Sequence, residues 1–139
     1  MAGKATELRG RTPESEKITI NLGYVDLGHI DLLVGEKFYA NRSDFIRTAI
    51  RNQLERHADA TRQTVQHRSL VLGLRHFTRA ELEQARVAGV RLDIRVLGLA
   101  IIADDVTPEL AGAAIASIEV LGALHASLAV KAALADRRG

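Results

Sequence analysis

Apolar and polar residues alternate strictly along one short segment near the start of the chain, Lys17–Leu22. Successive side chains of a β-strand point to opposite faces, so one face would be apolar and the other polar. The apolar face would carry Ile18, Ile20 and Leu22, and the polar face Lys17, Thr19 and Asn21. The residues that follow provide no second strand. We therefore predict that two copies of this strand pair antiparallel, with the polar side chains facing outward.

The pattern changes to a helical period directly after this strand. Apolar residues at helical spacing predict a first helix from Val25 to Phe38, with Asp26 in the first turn, where the helix dipole favours an anion. Asn41 is a suitable N-cap for a second helix, and Asp44 stands three residues later in a capping-box position. A second apolar run continues to Leu54. Two paired copies of this unit would present a polar two-stranded ribbon of the width that enters a DNA major groove.

Residues 17–56 resemble the ribbon-helix-helix DNA-binding proteins, the family that includes the Arc, MetJ and CopG-type repressors. The resemblance is carried by the alternating strand, by Ile30-Asp31 in the first helix, and by the segment from Asn41 to Arg51. Gly23, directly after the strand, departs from the family's pattern.

The resemblance implies two sets of DNA-contacting residues. The outward strand residues would contact base edges: Lys17, Thr19 and Asn21. The backbone N–H groups at the start of the second helix would hold a phosphate, near Asn41, Arg42 and Ser43. The electrostatics of a helix N-terminus independently favours an anion at that place. The expected partners are therefore double-stranded DNA, bound through its major groove, and a second copy of the chain.

Beyond Ala58 the sequence changes character. Residues 59–68 are polar and form either a linker or an extension of the second helix. Three similar motifs then follow at offsets of 25 and 24 residues, each with glycine in the third position: Val71–Leu74, Val96–Leu99 and Val120–Ala123. Thr78 and Thr107 are suitable caps for short helices after the first two motifs.

One strand and one helix per repeat predict a small solenoid of three repeats over residues 69–136. Its strands would cover 70–74, 94–102 and 118–124, and its helices 78–88, 108–116 and 129–135. The alternative is an ordinary α/β sheet with accidental internal similarity. With either arrangement the fold class is α+β, a ribbon-helix-helix module at residues 17–58 followed by a small α/β domain. Open strand edges favour self-association, so this domain is expected to oligomerise or to sense a signal.

Composition narrows the class of protein further. There is no cysteine, so disulfides and thiolate metal sites are excluded. Residues 1–16 are predicted to be a flexible arm, in which Arg9 and Arg11 are candidates for contact with the DNA backbone. The charged start of the chain and the lack of a run of roughly 20 apolar residues predict a cytoplasmic protein. The formal net charge of +2 does not by itself indicate nucleic acid.

Candidate catalytic and metal-binding residues are sparse. The five histidines include no pair at i, i+4 on a helix. His67 and His76 are the candidates for metal sensing, and Asp104-Asp105 fits a hard-cation site or a turn before Thr107. We expect neither an enzyme nor a bound cofactor.

The sequence therefore predicts a homodimeric, sequence-specific DNA-binding regulator that represses by occupying its operator. One alternative is a self-assembling interaction protein that uses the N-terminal module only to dimerise. The other is an antitoxin, which the apolar, self-sufficient composition of residues 69–136 argues against.

Overall fold

The structure, a computed structural model, describes residues 15–138. They divide into two compact units, Ser15–Thr64 and a second unit that begins at Val65. The predicted arm at residues 1–16, with Arg9 and Arg11, lies outside the described residues except for its last two positions.

The first unit is helical, with α1 at Tyr24–Gly35 and α2 at Arg42–Arg56. Helix α1 ends before Phe38, where the apolar period had placed its end, because Lys37 adopts a φ of 67° and turns the chain. The N–H groups of Lys37 and Phe38 donate back to carbonyls of the last helical turn. Phe38 is consequently 70% exposed, and the prediction that it completes the apolar stripe of this helix is wrong.

The polar segment after α2 is itself a helix, α3, at Ala58–His67. His57 closes α2 and accepts, through its carbonyl, the N–H of Thr61 in α3. The two helices therefore follow each other with a break of one residue. The sequence had left open whether residues 59–68 are a linker or an extension of the second helix, because they carry no apolar stripe.

The second unit alternates strands and helices, and its three strands form one parallel sheet in the order β1-β2-β3. The elements are β1 Val71–Phe77, α4 Arg79–Val87, β2 Leu92–Ile102, α5 Pro108–Ala114, β3 Ile115–His125, α6 Leu128–Ala133 and a final 3-10 turn, Ala135–Arg137. Each α-helix is capped by a hydroxyl that accepts a backbone N–H three residues later, from Thr78, Thr107 or Ser127. The first two caps were predicted, and the third was not.

The repeat glycines lie side by side in this sheet. Gly73 pairs with Gly98, and Gly98 pairs with Gly122. Their φ angles of 115°, 138° and 118° lie in a region that residues with a side chain rarely adopt. A Cβ atom built on Gly98 or Gly122 would also collide with the carbonyl oxygen of the glycine on the preceding strand. The recurrence of glycine in the sequence thus follows from a close backbone approach repeated across the sheet.

The core of the second unit lies between one face of the sheet and the helices. Alternate residues of β2 point into it, including Ile94, Val96 and Ile102, which are at most 2% exposed. Leu82 of α4, Leu110 of α5 and Val130 of α6 pack into the same cluster. Burying side chains of this kind contributes about 1.5 to 3 kcal/mol each. All three helices therefore cover the same side of the sheet.

Helix α5 passes into β3 without a loop, since Ala114 ends one and Ile115 begins the other. The predicted helix end at residue 116 and strand start at residue 118 are both too late. Arg137 secures this junction, because its Nη1 donates to the carbonyl oxygens of Gly112 at 2.5 Å and Ile115 at 2.8 Å.

No helix between residues 15 and 138 has both the length and the apolar character to cross a membrane.

Candidate nucleic-acid interface

The segment Lys17–Leu22, predicted to be the DNA-reading strand, is exposed along its whole length. In the single chain, residues 16–23 belong to no helix or strand. Ile18 is 83% exposed and Ile20 is 59% exposed. Apolar side chains this exposed on alternate positions need a covering surface, and strand pairing here requires two chains. The strand and the base-reading roles of Lys17, Thr19 and Asn21 therefore stay predictions, with all three side chains accessible.

Gly23, the departure from the family's pattern, is the N-cap residue of α1, with φ −63° and ψ 151°. Glycine is an accepted N-cap residue, so the departure is compatible with a normal helix start. The exposed segment therefore leads directly into α1.

The N-terminus of α2 is fixed by a variant of the capping box, in which the acidic side chain bonds the residue before the N-cap. The Asn41 side chain accepts the N–H of Asp44 at 2.8 Å, and the Asp44 carboxylate accepts the N–H of Ala40 at 2.9 Å. Both capping residues were identified from the sequence. The N–H groups of Arg42 and Ser43 belong to the first turn, where a helix supplies no acceptors of its own. Such a turn can present backbone donors to a phosphate.

Arg42 makes a contact that the sequence did not reveal. Its Nε and Nη2 donate to the two carboxylate oxygens of Asp31 in α1, both at 2.8 Å. The hydrogen bonds from Arg42 hold the pKa of Asp31 below its ordinary value, and the same contact raises the pKa of Arg42. The pair is therefore fully ionised at neutral pH. It ties α1 to α2 and occupies two of the donors of Arg42.

An aromatic contact reinforces the turn between the same two helices. The rings of Tyr39 and Phe45 meet edge to face with centroids 5.0 Å apart. Together with the ion pair and the capping box, this contact fixes where α2 begins relative to α1.

The first unit buries very little of its apolar surface. Ile30 is the single fully buried side chain among residues 15–64. Helix α2 contributes none, and Leu54 is 64% exposed. A helix pair with so small a core is stable only when a further surface covers it. The first unit thus exposes the apolar side chains expected of one half of a core that two chains share.

Among the described residues, the other candidate metal ligands do not come together in a cluster. Between residues 15 and 138, no group of three or more His, Asp or Glu side chains is placed to hold a metal ion. Asp104 and Asp105 lie in an exposed turn ahead of the Thr107 cap. The structure therefore contains the turn that the sequence offered as one explanation of this acidic pair.

A family model described as the ribbon-helix-helix transcriptional regulator family matches residues 13–131, which is most of the chain. The match extends through both units and does not stop at the N-terminal module. Neither the curated proteins nor the solved structures contain a significant match.

Proposed function

The chain belongs to the ribbon-helix-helix transcriptional regulator family, and from that premise we propose that it is a homodimeric, sequence-specific repressor that occupies its operator. The family implies DNA binding and dimerisation. The observation that carries the proposal is the exposed, strictly alternating segment Lys17–Leu22, which leads into a helix pair with a single buried side chain. Pairing two such units would bury the apolar face and leave the polar face available to DNA.

We assign the base-reading role to the polar strand residues Lys17, Thr19 and Asn21. The phosphate-binding role falls to the start of α2, at Asn41, Arg42 and Ser43. Phosphate contacts fix the position of a protein on the duplex, and base contacts supply the specificity. The capping box supports this division, because it holds the first turn of α2 in place before DNA arrives.

Residues 69–136 would form a short solenoid that oligomerises or senses a signal, after the N-terminal module at residues 17–58. The parallel sheet and the in-register glycines support a solenoid, since equivalent positions of the repeats lie side by side. The exposed edge of β1 supports oligomerisation.

A binding-site selection with the purified full-length protein and random duplex DNA tests the proposed function. We expect an enriched motif with two-fold symmetry, because a symmetric dimer reads two related half-sites. Enrichment of no motif, with the protein shown to be a folded dimer, would contradict the repressor and favour the self-assembling interaction protein.

The role of Arg42 can be read from the salt dependence of DNA binding. Each phosphate contact neutralised contributes about −0.9 to the slope of log affinity against log salt concentration. Arg42→Ala is expected to make the slope about 0.9 less steep without changing the selected motif. Asp31→Asn, which removes the competing carboxylate and leaves Arg42 in place, should raise affinity at low salt.

The matched control for that measurement is Arg62→Ala. Arg62 also pairs with an aspartate, Asp59 at 3.0 Å, but it lies on α3 outside the proposed interface. An unchanged slope for Arg42→Ala would restrict Arg42 to its contact with Asp31.

A further inference from the structure

The sheet of the second unit has one face that its own helices leave uncovered. We call this the open sheet face. It consists of three successive rows of paired residues that run across β1, β2 and β3, and we call these rows rungs. With one residue each from β1, β2 and β3, in that order, the rungs are Leu72-Leu97-Leu121, Leu74-Leu99-Ala123 and His76-Ile101-His125. Two of the three rungs are wholly apolar.

The exposure of this face contrasts with that of the helix-covered face. Leu72 is 71% exposed, Leu74 is 60% exposed and Leu121 is 43% exposed, whereas Leu97 and Leu99 on the central strand are half-buried by their neighbours. Contiguous apolar patches on a regular sheet mark interaction surfaces more often than single exposed side chains do. The face is therefore a candidate interaction surface.

The end of the sheet where the strands begin is polar and carries both signs of charge. Asp93 accepts a hydrogen bond from Ser117 at 2.5 Å, and Arg68 forms an ion pair with Glu119. Arg95 donates to the carbonyl oxygen of Arg68 at 3.3 Å. Two arginines thus accompany two carboxylates among these four side chains, so their charges balance. These four side chains therefore add no net repulsion between two copies of the face.

The chain itself contains few surfaces that match the open sheet face. Helix α3 carries only Ala58, Ala60 and Val65 as apolar residues. Residues 1–14 contain only Met1 and Leu8 as large apolar residues. The exposed apolar side chains of the first unit are needed for the N-terminal dimer. The surface that best matches a flat apolar leucine face is a second copy of the same face, which is how a two-fold interface is built.

The area of the face determines whether two copies could pair on their own. Strands about 4.8 Å apart and rungs about 6.7 Å apart give roughly 300 Å² per copy. A stable interface between free proteins needs about 800 Å² per partner, so this face alone is too small. Two copies tethered in one N-terminal dimer, however, meet at an effective concentration on the order of millimolar.

We propose that the open sheet faces of the two chains in one dimer pack against each other about a two-fold axis. This inference goes beyond the proposed function, because it requires the N-terminal dimer but no DNA. The second units would then form an additional interface between the two chains of one dimer. Its failure leaves the DNA-binding proposal intact, since motif selection does not depend on it.

The natural absence of cysteine allows a direct test with single cysteines in the full-length chain. Leu99→Cys places a thiol at the centre of the face, on the central strand and in the middle rung. A central position meets its own counterpart whatever the direction of an in-plane two-fold axis. Leu128→Cys, 86% exposed on α6 on the helix-covered side, is the control. Packed sheets lie about 10 Å apart, too far for a direct disulfide, so a short bis-maleimide is the appropriate cross-linker.

We expect Leu99→Cys to cross-link between chains at least tenfold faster than Leu128→Cys, at a rate that does not change on dilution of the dimer. Adding Leu72→Lys and Leu121→Lys should lower that rate at least tenfold, because both side chains lie in the face and outside the core. Circular dichroism checks that the second unit remains folded, and the Leu72→Gln, Leu121→Gln pair replaces the lysines if it does not.

The proposal assumes that the chain is a dimer, and light scattering measures this separately from the cross-linking. A dimer in which Leu99→Cys cross-links no faster than the control, or in which the paired substitutions change nothing, overturns the proposal. A rate that rises with dimer concentration also overturns it, because the faces would then join different dimers.

Discussion

Replacing Thr19 and Asn21 together by alanine is expected to abolish the sequence preference of DNA binding while the dimer remains folded. Both side chains are exposed on the polar positions of the strand segment and lie outside any core. Loss of a base contact costs roughly 1 to 3 kcal/mol of discrimination, so the pair should lose more than tenfold in affinity for the selected motif. Competition of specific against random duplex in a titration measures the loss.

The matched control for this double variant changes two exposed polar residues of α3, Thr61→Ala and Gln63→Ala. These substitutions remove similar side chains outside the proposed interface and should leave the motif and its affinity unchanged. If the Thr19, Asn21 variant selects the parental motif with parental affinity, the base-reading assignment is incorrect and the ribbon serves dimerisation only.

Substituting alanine for Gly98 should destabilise the second unit by about 3 kcal/mol. The residue would keep a φ of 138° that alanine disfavours, and its Cβ would press against the carbonyl oxygen of Gly73. Strained backbone costs about 1 to 3 kcal/mol, and overpacking adds a similar amount. Denaturant unfolding, followed with hydrogen exchange of the β2 amides, reports on this unit separately from the first.

Gly112→Ala in α5 is the control for the same measurement. An added Cβ there meets only the Nη1 atom of Arg137, at an ordinary 3.9 Å. Alanine also favours a helix over glycine, so stability should change little or rise. Equal effects of the two substitutions would show that the glycine stack does not constrain the sheet.

The sequence predicted the elements that depend on residues close to one another in the chain. The Thr78 and Thr107 caps, the Asn41 cap and the order of strands and helices in residues 69–136 all follow from short patterns, and the structure contains each of them. The glycine spacing also carried information about distant pairing, because a repeat places equivalent positions side by side.

The sequence failed where geometry depends on distant or unusual residues. Lys37 ends α1 in a left-handed conformation that usually calls for glycine or asparagine, so no signal marked the end. The pair formed by Arg42 and Asp31 joins residues eleven positions apart, beyond any helical spacing rule. The sequence did not show whether the helices cover the face of Leu97, Leu99 and Leu121, because a buried parallel strand and a half-covered one have similarly apolar sequences.

The glycine stack also limits how this domain can change in length. An insertion or deletion of one residue within a strand would move one glycine out of line and place its neighbour's side chain against the adjoining backbone. Adding or removing a whole strand-and-helix unit would instead preserve the alignment at every remaining junction. Viable length variants of this domain should therefore differ by whole units of the observed spacing, with single-residue changes confined to the loops.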